Sequence, residues 1–263
     1  MNVYQREMRS SLKSMIFWSL GVLLFVAASM QKYAALSQDP ASLNIMYQLP
    51  QALQDMFGVG SLDFAKPSGF YGMIYPYLVL MAAVHASMLG AVIVSKEERD
   101  KTAEFLYAKP TARAQVLAAK SLAALTAVAL LNLVVWAASQ AFVGGGGEDM
   151  GGTIALLMAA LFLVQLVFLA VGVAAAAILP RPKAAAGIAT GVMLATYLLS
   201  IAIDVSGKLG ALKALTPFEY FDARRIVGRG EGLSLWYVAL CLGLTAALTW
   251  AAFLCFDRRD LKV

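Results

Sequence analysis

Long apolar stretches alternate with short polar ones along the whole chain, and this alternation predicts the fold. Apolar runs of about 18 residues or more mark helices that can cross a membrane. Six stretches reach or approach that length: 15–36, 70–94, 114–143, 153–179, 184–203 and 235–256. None shows the strict alternation over about ten residues that is typical of an outer-membrane strand. The pattern predicts an all-α integral membrane protein with six transmembrane helices, built as one domain over residues 1–263.

The longest charge-dense interruption is residues 95–113, between the second and third spans. Nine of its 19 residues are charged, so it is expected in water at the membrane surface. Helical spacing puts Ala103, Leu106 and Tyr107 on one stripe, which can rest on the bundle, and Phe105 on the charged face. An aromatic residue standing out of a charged face is typical of an anchor that a protein partner buries. The alternative is an ordinary solvated helix that ends at Pro110.

The order of residues in this segment resembles the cytoplasmic coupling segment of ABC-2 type transporter permeases. Their pattern is a Glu-rich turn, a Thr-x-Glu-aromatic-Leu core and a Pro-x-x-Arg exit, which this chain matches with Glu97, Glu98, Thr102, Glu104, Phe105, Leu106, Pro110, Thr111, Arg113 and, further on, Lys120. The stretches LPQALQDMFG, TPFEYFD and FDRRDL also look like this family. The resemblance covers most of the chain and is closer to bacterial permeases made without a fused ATPase.

This resemblance implies a permease subunit that is not catalytic itself. Two copies would assemble with two copies of a separate ATP-binding subunit, which would bind ATP and Mg²⁺, while this chain would bind no cofactor. The expected cargo is an amphipathic or apolar compound, such as an antimicrobial peptide, a drug or a lipid. The residues expected to contact the ATPase are Glu97, Glu98, Lys101, Thr102, Glu104, Phe105, Leu106, Lys109, Pro110 and Arg113.

The distribution of basic residues predicts orientation. The net charge is +5, but the basic residues are spread over the loops, which argues against a nucleic-acid partner. With the amino terminus inside, 14 of the 21 lysine and arginine residues fall in cytoplasmic segments. Positive charge is retained on the cytoplasmic side of membranes, so both termini are expected in the cytoplasm. The resemblance to bacterial permeases implies that the chain lies in the bacterial inner membrane, among its lipids.

Three segments outside the spans carry further predictions. Residues 1–14 show helical spacing of Tyr4, Met8 and Leu12 with basic residues elsewhere, which predicts an amphipathic helix on the inner leaflet. Residues 37–69 predict a short helix on the outer face. Residues 204–233 are predicted to lie on that face too, and they hold several arginines: Arg224, Arg225 and Arg229. Either this segment dips back toward the membrane, or these arginines meet anionic lipid or substrate.

Few polar residues lie inside the spans. His85 is expected near the bilayer midplane and, with Asn132 and Gln165, is a candidate for the substrate pathway. Lys120 begins the third span, where its ammonium group can reach the interface. The Gly187-x-x-x-Gly191 spacing lets two helix backbones approach closely, within the subunit or between subunits.

Other classes of protein fit less well. A membrane enzyme needs a paired nucleophile and base or a metal constellation, which the one histidine and two cysteines do not supply. An ion-coupled secondary transporter normally buries carboxylates, and no Asp or Glu is expected to be buried here. An immunity or scaffold protein without transport remains an alternative, which an ATPase gene beside this one would argue against.

Overall fold

The protein is a bundle of six long helices with a small cap at one end. A computed structural model describes residues 2–38, 48, 50, 53–54, 58–102, 104, 112–144, 150–206 and 209–258. The long helices are α1 Val3–Leu36, α2 Pro67–Arg99, α3 Arg113–Val143, α4 Gly151–Ile178, α5 Pro182–Ser206 and α7 Leu235–Arg258. The shortest has 24 residues, or about 36 Å, which exceeds a bilayer core of about 30 Å. The prediction of six spans in an all-α membrane protein is confirmed.

Successive long helices run in opposite directions, so the bundle has two distinct ends. We call the end that holds the starts of α1, α3 and α5 the basic end, because its basic residues include Arg6, Lys96, Lys120, Arg181 and Arg258. The other end, which we call the cap end, carries the segments before α2 and after α5. Charge is thus concentrated where α1, α2 and α3 meet.

Helices α2 and α4 form the centre of the bundle. About two thirds of the most apolar part of each is buried, against 11% for α1 and α7. Gly90 on α2 faces Leu169 of α4, and a Cβ atom at Gly90 would overlap the Leu169 carbonyl oxygen. A Cβ atom at Gly172 would overlap the Ser87 carbonyl oxygen in the same way. These two glycines therefore let the central backbones touch, which is the usual way that helices associate tightly in lipid.

Hydrogen bonds between buried side chains and neighbouring helices add to this core. The Tyr71 hydroxyl lies 2.6 Å from that of Ser139 on α3, and the Tyr75 hydroxyl donates to the Leu157 carbonyl oxygen on α4 at 2.6 Å. Both tyrosines are almost fully buried. A buried hydroxyl without a partner would cost free energy, so these bonds fix α2 against both neighbours.

The amphipathic helix predicted over residues 1–14 leads straight into the first span. That stretch and the first span form a single helix of 34 residues, α1. Its start is held by contacts with other helices: the Tyr4 hydroxyl donates to Thr126 of α3 at 3.2 Å, and Glu7 is fully buried. A helix held in this way continues the span as part of the bundle.

The cap end folds back into the bundle. It contains the 3₁₀ turns Gly210–Leu215 and Pro217–Glu219 and the short helix α6, Ala223–Arg229. The Thr216 hydroxyl donates to the Thr196 carbonyl oxygen at 2.9 Å, about 15 Å along α5 from its end. The Phe218 ring packs between those of Phe168 and Tyr197, with centroids 5.1 and 5.2 Å away. The segment after α5 therefore packs against the bundle.

Candidate functional site

A network of charged side chains joins three helices at the basic end. Glu97, near the end of α2, is its centre: Arg6 of α1 donates to one carboxylate oxygen at 2.7 Å, and Lys120 of α3 pairs with the other. Glu7 of α1 is paired with Arg6 at 3.0 Å and with Lys96 of α2. Three cations therefore surround two buried carboxylates: Glu97 links α1, α2 and α3, and Glu7 links α1 and α2.

The position of Glu97 and Glu98 corrects the expectation that they lie in water. They are only 6% and 8% exposed. Helix α2 continues past the apolar run to Arg99, which draws its last turns into the cleft between α1 and α3. Burial of a carboxylate is costly unless cations and donors surround it, and for Glu97 the network supplies both. Glu97 is thus an internal anchor that positions the start of the 95–113 segment.

Lys120 also differs from the prediction that its ammonium group reaches the interface. It is 2% exposed, and besides pairing with Glu97 it donates to the Ile93 carbonyl oxygen at 2.7 Å. A lysine is almost never buried to this degree unless it is paired. The buried carboxylate of Glu97 holds it inside.

Helix α2 stops sharply in the middle of the charged segment. The Thr102 N–H donates to the Glu97 carbonyl oxygen at 2.8 Å, and Lys101 has φ 55°, which is the left-handed conformation that usually follows a helix end. A lysine in this region is uncommon. The side-chain hydrogen bond from Arg99 lowers the pKa of Asp100 in the same turn. The segment is therefore not one continuous helix from residue 95.

Beyond this turn, the structure describes only part of the predicted contact surface. Lys101, Thr102 and Glu104 are exposed, and Arg113, the first residue of α3, is half-buried. Phe105, Leu106, Lys109 and Pro110 lie outside the described residues, as does Tyr107. The exposed part follows directly after the Glu97 anchor.

The three pathway candidates occupy two different places. Asn132 of α3 donates to the Gln165 side-chain oxygen at 3.2 Å and to the Met158 carbonyl oxygen at 3.1 Å, both on α4. These bonds give the amides a packing role between α3 and α4. His85 lies instead on α2, where its ring stands 5.4 Å from that of Trp18 on α1. The structure does not join His85 to the two amides.

The glycines of α5 do not mediate close packing within the chain. A Cβ atom at Gly187 or Gly191 would meet no described atom within 4 Å, and both residues are exposed. The close contact between helix backbones is instead made at Gly90 of α2 and Gly172 of α4. Their spacings Ala86-x-x-x-Gly90 and Gly172-x-x-x-Ala176 are the same small-residue signal that marks Gly187 and Gly191, and sequence analysis missed them.

The cap end holds a second charged group. Arg224 donates to Asp204 at 2.9 Å and to Asp222 at 2.8 Å, so it pairs within the chain. Burial disfavours its charge, but hydrogen bonds and charge from Asp222 and Asp204 outweigh burial and raise the pKa of Arg224. The other two arginines predicted to meet lipid or substrate, Arg225 and Arg229, are exposed.

Sequence analysis missed the residues that complete the basic-end network: Arg6, Glu7 and Lys96. A signal was present, because Glu7 is the one acidic residue in an otherwise basic amino-terminal stretch. The expectation that no Asp or Glu is buried is wrong, since Glu7, Glu97 and Glu98 all are. At the basic end they lie at helix ends, unlike the midplane carboxylates of ion-coupled transporters.

Together, the basic-end contacts join α1, α2 and α3. Within the described parts of the chain, no three His, Cys, Asp or Glu side chains cluster in a way that could hold a metal ion. A family model described as ABC-2 family transporter protein matches residues 1–261. A search of curated proteins gives no match.

Proposed function

Because the chain belongs to the ABC-2 family of transporter proteins, a family of ABC transporter permease subunits that work with an ATP-binding subunit, we propose that it exports an amphipathic or apolar compound. A separate ATPase would bind ATP and Mg²⁺ and dock on the exposed residues that follow the Lys101 turn. The basic end would face the cytoplasm of a bacterium, as the concentration of basic residues there favours. Both termini would then be cytoplasmic.

The observation that carries this proposal is the position of Glu97. It lies four residues before the turn at Lys101, and its carboxylate is bonded to Arg6 of α1 and Lys120 of α3. A push on the loop after α2 would therefore act on three spanning helices together. Buried and well-packed networks of this kind switch between discrete arrangements more readily than they stretch.

We further propose that two copies of the chain face each other across the export pathway. The most exposed apolar side chains of α5 include Ile188, Val192 and Leu198, and they share that helix with Gly187 and Gly191. Small residues on such a face allow a second helix to approach closely. A second copy would also shield a pathway that a single bundle leaves open to lipid.

The docking proposal is tested with Phe105→Ala, in a strain that also produces an ATP-binding subunit that co-purifies with the wild-type chain. Loss of a buried aromatic anchor costs about 2 kcal/mol or more, or roughly thirtyfold in affinity. We expect co-purification of the ATPase and transport-linked ATP hydrolysis to fall together. Tyr107→Ala is the matched control, because the sequence places it on the opposite stripe, and it should chiefly lose stability.

A charge reversal at each end of the bundle gives a second test. Lys101→Glu changes an exposed residue next to the proposed docking surface, and Arg225→Glu changes an exposed residue at the cap end. We expect the first variant to weaken ATPase binding and the second to leave it unchanged. Equal effects of the two variants, or full ATPase binding by Phe105→Ala, would refute docking at this loop.

A further inference from the structure

A cavity separates α1 from α2 in the half of the bundle nearer the basic end. The two helices are held together at both ends of this gap: Lys96 pairs with Glu7, and further along Trp18 contacts His85. Between these contacts the cavity has a volume of about 170 Å³. Since a water molecule takes up about 30 Å³ of liquid, the space suits a polar group of several non-hydrogen atoms.

The wall of the cavity formed by α1 is lined with hydroxyl groups. Ser10, Ser11 and Ser14 contribute to it, and both Ser10 and Ser14 are exposed, so the cavity opens sideways along α1. Close to this opening, the surface of α1 is strongly apolar: Ile16 is 66% and Phe17 is 73% exposed. In a helix that crosses a membrane, such a surface faces lipid. The opening is therefore within reach of molecules dissolved in the bilayer.

The wall formed by α2 is apolar except at its two ends. Met88, Leu89, Val92 and Ile93 form its middle. Lys96 closes the end of the cavity that lies nearer the basic end of the bundle. Its ammonium group also donates to Ser10 at 3.3 Å. One wall thus offers hydrogen bonds and the other offers apolar contact. This division matches an amphipathic molecule better than it matches an ion.

His85 stands at the deep end of the cavity without a hydrogen-bond partner. Its side chain is 2% exposed, and neither ring nitrogen is bonded to another described residue. An uncharged imidazole has one N–H donor and one bare nitrogen acceptor, and leaving both unpaired in a buried site is costly. A buried polar group that lines a cavity in this state is one that a ligand can satisfy.

We propose that this cavity binds the uncharged polar head of a single-chain amphiphile drawn from the bilayer, with His85 as its deep hydrogen-bond partner. The head is uncharged because the one cation in the lining, Lys96, is already neutralised by Glu7. The head would occupy the space between the serines and His85, and its chain would leave through the opening onto the apolar face of α1. As the access point for cargo, this site rests on the proposed export function.

The experiment uses the full chain in lipid nanodiscs without any ATPase, so it stands apart from the docking test. The probe is a monoacylglycerol whose acyl chain carries a photoreactive diazirine, and labelled α1 and α2 peptides are quantified by mass spectrometry. We expect saturable labelling. His85→Phe should raise the half-saturating concentration about fivefold, the equivalent of one hydrogen bond of about 1 kcal/mol. His85→Gln, which keeps a donor and an acceptor, should stay within about twofold of the wild type.

Two further variants separate binding from folding. Ser14→Leu should block labelling because its side chain fills the opening, whereas Thr245→Val, which removes a similarly unpartnered hydroxyl on α7, should not change it. His85→Phe should also melt at a higher temperature than the wild type in the absence of probe, because it removes unpaired buried nitrogens. A purely structural histidine would give the opposite shift.

Three results would overturn the proposal. The first is labelling that does not saturate, which would indicate background from the bilayer. The second is equal labelling of the wild type, His85→Phe and Ser14→Leu, as expected of a cavity that holds only water. The third is stronger labelling by the phosphate ester of the same probe, which would show that the site takes an anion. Failure of ATPase docking would leave all of these measurements unchanged.

Discussion

Carboxylates are buried at both ends of the bundle, and the two ends neutralise them with different partners. At the basic end, Glu7 and Glu97 are paired with cations from other spanning helices, and Glu97 and Lys120 are almost fully buried. At the cap end, one arginine serves Asp204 and Asp222, and all three side chains are about one quarter exposed. The basic-end pairs join three spans, whereas the Arg224 pairs join only the end of α5 to the start of α6.

This difference bears on how movement could pass through the protein. A charge pair that bridges separate spans couples their positions, while a pair between neighbouring segments fixes only a local fold. The basic-end network therefore suits the side on which an ATPase would act. The cap-end group suits a lid that keeps its shape while the spans beneath it move. Each of the predictions below tests one side of this comparison.

The largest effect is expected for Lys120→Met. This change leaves the Glu97 carboxylate buried with Arg6 as its remaining bridging cation, and removal of one partner from a buried ion pair costs about 3–5 kcal/mol. The free energy of unfolding, measured by denaturant titration in mixed micelles, should fall by about that amount. The double variant Lys120→Met with Glu97→Gln should recover part of the loss, because it removes the orphaned charge.

Arg6→Met is the comparison for Lys120→Met: it removes the other cation from Glu97 and one of the two cations from Glu7. The Arg6 side chain is 38% exposed, so water can take its place beside the carboxylates. Ion pairs with this much exposure typically contribute about 1 kcal/mol or less to the free energy of unfolding. If Arg6→Met proved as damaging as Lys120→Met, burial would not be what makes the network strong.

A smaller effect is expected at the cap end for Arg224→Met. Asp204 and Asp222 would lose their shared cation, but both remain accessible to water, so we expect a loss of about 1–2 kcal/mol in the free energy of unfolding. Arg225→Met, an exposed neighbour in the same helix, should change stability by no more than about 0.5 kcal/mol. A larger loss for Arg224→Met than for Lys120→Met would reverse the ranking of the two ends.

The sequence predicted the six spans because membrane burial acts on every residue of a long stretch at once. The predicted end of α2 was too early because charged residues, including Glu97 and Arg99, continue the helix. Apolarity alone does not show where the backbone hydrogen bonds of a helix end. Partners were missed for a different reason. The pairing of Glu97 with Lys120 depends on how α2 and α3 pack, just as the contact between Gly90 and Gly172 depends on how α2 and α4 pack. A single sequence carries no direct record of such long-range contacts.

The smallest effect concerns pH and the buried carboxyl group of Glu219 at the cap end. Burial and the negative charge of Asp204 raise its pKa above the ordinary value of 4.5, and Asp222 adds to this, while Lys213, whose ammonium group lies 3.2 Å away, opposes it. Because the pKa is higher in the folded state, the folded protein binds this proton more tightly than the unfolded chain. The contribution of Glu219 to the free energy of unfolding is therefore fully present below the unfolded-state pKa, and it is lost as pH rises through the folded-state pKa.

Glu219→Gln removes this titration while keeping a side chain of the same size. We expect the melting temperature of the wild type to fall relative to that of Glu219→Gln as pH rises from about 4 toward neutral, with the two curves closest at the acidic end. Melting curves recorded by intrinsic fluorescence in the same nanodiscs at each pH would measure the difference. Parallel curves would mean that Lys213 fully compensates the burial of Glu219, and the cap end would then pair its carboxylates as completely as the basic end does.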